Sequence, residues 1–144
     1  MTSAFCSMEA GVVELVKADG SRIAIDVLVA ATELQRTAGY QFIDGGVVQE
    51  TAILFVFDAP VSRSFHMCNV LVGLDIVWFR ANGTILDATT MRPGQVMDPI
   101  FCRNVYSPRR FGTYQFALEL PEGAIERLGL SSLNEWRLEV APWR

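Results

Sequence analysis

The chain has 144 residues, a net charge of −4, a hydrophobic fraction of 51% and only 19% charged residues. A chain of this length buries roughly 70% of its unfolded surface, enough for one full core, and the shortage of charge leaves apolar surface that favours some self-association into a homo-oligomer. Lys17 is the only lysine and no stretch concentrates arginine, which excludes general nucleic-acid binding, because that needs a positive field to release counterions from phosphates.

Residues 1–10 read as a flexible tail, with neither the basic region nor the apolar stretch of a secretion signal. Val12 to Lys17 and Arg22 to Val29 are joined by Ala-Asp-Gly-Ser, and Asp19-Gly20 is a strong hairpin signal. Ile23, Ile25 and Val27 alternate with polar or small residues, as in a half-buried strand. The period then changes: Thr32-Glu33-Leu34-Gln35 fits a capping box, and Gly39 ends a helix of one or two turns.

Strand patterning resumes at Thr51 to Phe57 and stops at Asp58-Ala59-Pro60. Residues 64–70 and 74–80 read as extended with a break near Gly73, and Asn82-Gly83 turns the chain into Thr84 to Thr90. The segment 91–112, rich in Pro and Arg, has no periodicity and reads as a long loop. Tyr114 to Leu120 is a strand, Ala124 to Leu128 a short helix, and Trp136 to Val140 a last strand. About eight strands and two short helices imply an all-β fold with minor α, an antiparallel β-sandwich or partly open barrel formed by residues 11–144 as a single domain. The longest apolar run, Val70 to Phe79, is interrupted by Asp75, and a spanning helix needs roughly 20 apolar residues, so a soluble protein without a membrane span is expected, and a cytoplasmic one if its thiols are reduced.

Taken together, Gly39-Tyr40-Gln41-Phe42, Ile53 to Phe57, Phe65-His66-Met67-Cys68-Asn69, Leu74 to Phe79, Gly83-Thr84-Ile85 and the 116–123 strand end resemble, over roughly residues 11–141, the family called domain of unknown function 192. The resemblance implies a compact all-β sandwich or barrel of a bacterial or archaeal family and supplies no activity. The family pattern reads Phe-Trp-Met-Lys-Asn where this chain has residues 65–69, so Met67 and Asn69 match, as does Asp75, whereas His66 and Cys68 depart. The family's Gly-Leu-Met-Phe-Arg stands against residues 39–43 here, without the Arg, while Cys102 and Tyr106 remain from its Cys- and Tyr-bearing loop. A site built on the absent Trp or Arg would be altered in this member.

Asp75, an acid within an apolar run, needs partners, because an unpaired buried carboxylate costs several kcal/mol. With Asn69 it reads either as an anchor for a polar ligand at one end of the sandwich or as a core network that pins the Gly73 break; on the second reading Asp75→Ala abolishes folding. Met67 and His66 would wall such a site, and Tyr106, Arg109 and Arg110, from a loop with three arginines and two aromatics, would form a lid that clamps an anion. The competing reading is a hydrolase that uses His66 with Asp75 or Cys68, against which stand the absence of a Gly-x-Ser-x-Gly elbow and the awkward spacing of His66 and Cys68 on one strand. A third is a purely structural or oligomeric module. No cofactor is expected, and a metal site from His66, Cys68, Cys102 and Asp75 has no spacing to support it. Reduced thiols are the simple reading of the three cysteines, a Cys68–Cys102 bridge the alternative. Glu119 reads as an outward cross-strand partner, and Trp78, Trp136 and Trp143 as core or rim packing. Non-catalytic binding of a small polar or anionic ligand, or of a protein partner, is the function the sequence favours.

Overall fold

A computed structural model describes residues 1–130 and 132–139 of the chain; Val140 and Trp143 lie outside them. Among the described residues nine strands carry the fold: β1 (Glu9–Lys17), β2 (Arg22–Ala30), β3 (Ile53–Val61), β4 (Phe65–His66), β5 (Leu74–Phe79), β6 (Ile85–Met91), β7 (Val105–Tyr106), β8 (Tyr114–Pro121) and β9 (Trp136–Glu139). Seven of them form one sheet in the order β6-β5-β8-β3-β2-β1-β9, and β4 pairs with β7 as a separate ribbon. Among the described residues four short α-helices accompany them: α1 (Ser3–Cys6), α2 (Glu33–Ala38), α3 (Gly45–Gln49) and α4 (Ala124–Arg127). The architecture is an open β-sheet fold rather than a closed barrel. The edge strands β6 and β9 approach each other, but among the described residues only the Thr84–Arg137 bridge joins them. Gly83 permits that approach: its φ is +90°, and a Cβ there would lie 2.4 Å from the Leu138 carbonyl oxygen, while its own carbonyl accepts the Leu138 amide at 2.8 Å.

Local sequence accounts for several boundaries. Asp19 accepts the Ser21 amide at 2.8 Å and Gly20 takes φ +91°, which closes the β1–β2 hairpin. Thr32 accepts the Gln35 amide at 3.1 Å and Gln35 Oε1 accepts the Thr32 amide at 3.1 Å, so the capping box opens α2. One pairing departs from the antiparallel expectation: β2 and β3 run parallel. Parallel neighbours need a crossover, and residues 31–52 supply it with α2 and α3. Helix α3 escaped the sequence reading because Gly45-Gly46-Val47-Val48-Gln49 has no amphipathic period.

Both faces of the sheet are covered. Ile53, Phe55 and Phe57 of β3, Leu74, Ile76 and Trp78 of β5, and Ala117 of β8 point to one side, beneath Phe5, Tyr40, Ile43, Val48 and Met67. Leu54, Val77, Phe79, Phe116, Leu118 and Leu120 point to the other, against Val13, Leu15, Ala124, Leu130, Trp136 and Leu138. The whole of β5 is therefore buried. The first ten residues correct the expectation of a loose tail: α1 forms there, and Phe5 and Met8 enter the core, with the Phe5 ring 6.0 Å from that of Tyr40. None of the described helices is long and apolar enough to cross a membrane.

Candidate functional site

The residues singled out from sequence do not converge on one place. The Asp75 side chain leaves β5 on the side of α4. It accepts the amides of Gly123 and Ile125 at 3.0 Å each and the Thr90 hydroxyl at 2.8 Å. Oδ2 thereby ties the β8–α4 turn to the sheet while Oδ1 holds Thr90 of β6, and the shallow groove beside them is lined by Thr89, Thr90 and Ile125. Asn69 takes φ +67° and splices two loops: its amide nitrogen donates to Gln41 at 3.0 Å and to the Met97 carbonyl at 2.8 Å, and its side-chain oxygen accepts the Met97 amide at 2.8 Å. Met67 is fully buried. Tyr106 accepts the Arg92 amide at 3.0 Å.

Arg109 works as a strut. Its guanidinium and its backbone amide grip the buried Asp87, the amide at 2.7 Å and Nη2 at 3.2 Å. Desolvation pushes the Asp87 carboxyl up, but the hydrogen bonds from Arg109 and Ala88 outweigh it and hold the group below the ordinary carboxylate range. Arg110 is exposed. The hydrolase pairing of His66 with Asp75 has no geometric basis, because His66 faces the Tyr40 side of the sheet and Asp75 the α4 side. Cys68 is bonded to Cys102, which corrects the expectation of reduced thiols; Cys6 is the free cysteine.

The best-formed concavity lies elsewhere, between α2, β3 and the β4 ribbon, with a volume of about 190 Å³. Its apolar walls are Tyr40, Phe55, Phe57 and Phe65, the rings of Phe55 and Phe65 meeting edge to face at 5.1 Å. At its floor stands Glu119, only 4% exposed. No described residue hydrogen-bonds the Glu119 carboxyl. Burial alone pushes its pKa up to about 8, so at neutral pH it is mainly a protonated carboxyl, able to donate as well as accept. Burial also raises the neighbouring Tyr40 phenol, and Glu119 adds to that shift; the Tyr40 hydroxyl bonds Thr51 at 2.8 Å.

The rim is positive. Arg36 stacks its guanidinium on the Phe57 ring at 5.2 Å, with one nitrogen donating to the Ala31 and Val56 carbonyls. Arg63, more than half exposed, reaches Glu33 at 3.5 Å, and its backbone carbonyl accepts the Tyr114 hydroxyl at 2.6 Å, which holds it in place. Two arginines thus face one glutamate at the mouth. His66, the one predicted site residue lining this cavity, is kept neutral at pH 7 because burial lowers its pKa from 6.5.

Glu119 was missed because a lone acid between Leu118 and Leu120 reads as solvent-facing. That holds only where the second face of the strand is open, whereas β8 sits between β3 and β5, with Glu119 flanked by Ile53 and Ile76. A signal was present: Phe-Ala-Leu-Glu-Leu-Pro is apolar on both sides of the alternation, as a central strand should be.

Residues 14–136 match the model of domain of unknown function 192, described as an uncharacterized ACR. The chain belongs to this family. Two solved structures share the fold of this DUF192 member. One, from Sinorhizobium meliloti 1021 and described as a "putative transcription regulator", is 24% identical with a TM-score of 0.73, covering 92% of this chain and 95% of that one. The other, a protein of unknown function from Novosphingobium aromaticivorans DSM 12444, is 17% identical with a TM-score of 0.72 and covers 97% of this chain and 98% of its own. No curated protein matches at a significant level.

Proposed function

We propose that this DUF192 protein binds, without catalysis, a small organic anion whose single-ring apolar body enters the Tyr40–Phe55–Phe65 cavity. The observation that carries this reading is Glu119: a carboxyl almost wholly buried, with no protein partner among the described residues, at the end of an aromatic pocket. Glu119 lines the concavity itself, so a ligand atom that accepts from or donates to its carboxyl meets a group that no described residue already engages. The size fits, since an apolar cavity of about 150 Å³ accommodates benzene and this one measures about 190 Å³. The surplus of arginine at the mouth selects a negative outer group, and Arg63, more than half exposed and paired with Glu33 at 3.5 Å, is the cation that would exchange that partner for it.

Isothermal titration and thermal-shift measurements with 4-hydroxybenzoate, benzoate and 4-hydroxybenzyl alcohol test the reading. Saturable binding is expected for 4-hydroxybenzoate, weaker binding for benzoate, which lacks the inner hydroxyl, and for the alcohol, which lacks the charge. Arg63→Glu should weaken the two acids and leave the alcohol unchanged. Glu119→Leu should erase the preference for the hydroxylated acid. Absence of binding to all three compounds, or a hydroxyl preference that survives Glu119→Leu, would overturn it.

A further inference from the structure

Beside the cavity, and sharing His66 with its lining, the fold assembles a second constellation whose chemistry the ligand reading does not use. His66 ends β4, Cys68 follows two residues later, and Cys102 comes from the end of the Pro99–Phe101 helical turn. The imidazole and the two sulfur atoms lie within 4.8 Å of one another. The cysteine Cα atoms are 5.9 Å apart, although 34 positions separate them in the chain. The Cys68 backbone engages the His66 ring, while Nδ1 is buried and has no partner of hydrogen-bond geometry among the described residues. With the proton on Nε2, that nitrogen presents an unused lone pair.

The backbone around the cluster is held independently of the disulfide. The Met67 amide donates to the Asn104 carbonyl at 2.9 Å and the Asn69 amide to the Gln95 carbonyl at 2.9 Å. His66 also pairs with Val105 in the ribbon. Gly94 packs so closely that a Cβ there would sit 2.2 Å from the Met67 carbonyl oxygen. Breaking the S–S bond therefore leaves the three side chains near one another.

We propose that reduction of the Cys68–Cys102 disulfide turns this cluster into a zinc site, with His66, Cys68 and Cys102 as three ligands and a fourth position open. A dithiol supplies two electrons and two protons: the S–S bond breaks, two thiols form, and the reductant is oxidised to its own disulfide. Zn²⁺ then displaces both thiol protons and takes the neutral imidazole through its lone pair, so the ion's two positive charges are matched by two thiolates. Two sulfurs and one nitrogen are a donor set that zinc accepts, with Zn–S near 2.3 Å and Zn–N about 2.0–2.1 Å. Tetrahedral bonds of that length set neighbouring ligand atoms roughly 3.4–3.8 Å apart, within reach of side-chain rotation from the present separations. The disulfide and the metal are mutually exclusive occupants of the same residues, so zinc loading reports thiol redox state.

The test uses the full chain with Cys6→Ser, so that the exposed thiol does not contribute. The protein is reduced anaerobically with a phosphine, which leaves as phosphine oxide, desalted, and titrated with Zn²⁺ or Co²⁺. One ion per reduced chain is expected and none for the oxidised chain, with thiolate-to-cobalt charge-transfer absorption and a higher melting temperature of the reduced protein in zinc. His66→Phe should weaken binding at least tenfold while leaving disulfide formation intact, and Cys68→Ala/Cys102→Ala should bind nothing under either condition. The proposal is overturned if reduced and oxidised chains take up equal metal, if the charge-transfer band is missing, or if His66→Phe binds as tightly as the parent. Should the reduced chain unfold, failure of zinc to restore its circular dichroism counts against the proposal as well.

Discussion

Glu119→Gln isolates the energetic consequence of burying an acid at the cavity floor. In the unfolded chain this carboxyl titrates near 4.5, and in the fold near 8. The group is an acid with a raised native pKa, so both states hold the proton at low pH and there is no penalty there. As pH climbs past 4.5 the unfolded chain releases its proton while the native one keeps it, and stability drains away until the native carboxyl itself ionises near 8. About 3.5 pH units at about 1.4 kcal/mol per unit gives a total loss of roughly 5 kcal/mol, of which about 3 kcal/mol has gone by pH 7. Glutamine cannot ionise, so its stability offset from the parent should grow with that slope between pH 4.5 and 8. Urea unfolding of both proteins at half-unit pH steps measures it as a difference in midpoint at constant m-value. The difference matters because His66 also titrates in this range, with the opposite sign: its native pKa is lowered, so its contribution is present above 6.5 and lost as pH falls. That contribution cancels between the two proteins. Parallel stability curves for parent and variant from pH 4.5 to 8 would refute the claim that Glu119 is buried without a partner.

Other outcomes follow from the same contacts. Asp75→Ala removes the acceptor for two amides and one hydroxyl and should cost about 4.5–9 kcal/mol by denaturant titration, at about 1.5–3 kcal/mol for each hydrogen bond to a charged group; Thr90→Val, which removes one of them, should cost about 1.5–3 kcal/mol. Reduction of Cys68–Cys102 without metal reopens a loop with a sequence separation of 34, which chain entropy values at about 4 kcal/mol, seen as a lower melting temperature in phosphine than in buffer. Arg109→Ala leaves the buried Asp87 with backbone donors alone. Because Asp87 is held below its ordinary pKa, the stability it confers is present above pH 3.8 and lost as pH falls, and the variant's acid-unfolding midpoint should move to higher pH. Gly94→Ala drives a methyl into the Met67 carbonyl and the Cys68 amide, so it should lower the melting temperature and slow disulfide re-formation, assayed by thiol titration after reoxidation.

Much of the scaffold was readable from short stretches. Asp19-Gly20 is a hairpin and Thr32 to Gln35 a helix cap because the side chains that make them lie within three or four residues of the amides they bond. The alternation in β3 and the apolar run of β5 marked central strands, and Asp75 was recognisable as an acid that needs donors because nothing else permits a carboxylate in that setting. Which donors it finds depended on α4 folding over the sheet from 48 residues downstream.

The same division separates the candidate site from the scaffold. Alternation says that Glu119 and Leu118 face opposite ways, but only the α2–α3 crossover and the β4 ribbon, closing over one side of β8, bury the side of Glu119. Nothing in the spacing of His66, Cys68 and Cys102 brings a Cys from position 102 to the end of β4; the β4–β7 pairing does. Arg109, in a loop that reads as a lid, meets an aspartate 22 residues earlier and becomes a strut. Backbone periodicity and capping are short-range and written in adjacent residues. Burial, charge pairing and sulfur proximity depend on which distant segment arrives to exclude water, and the packed sheet alone determines that.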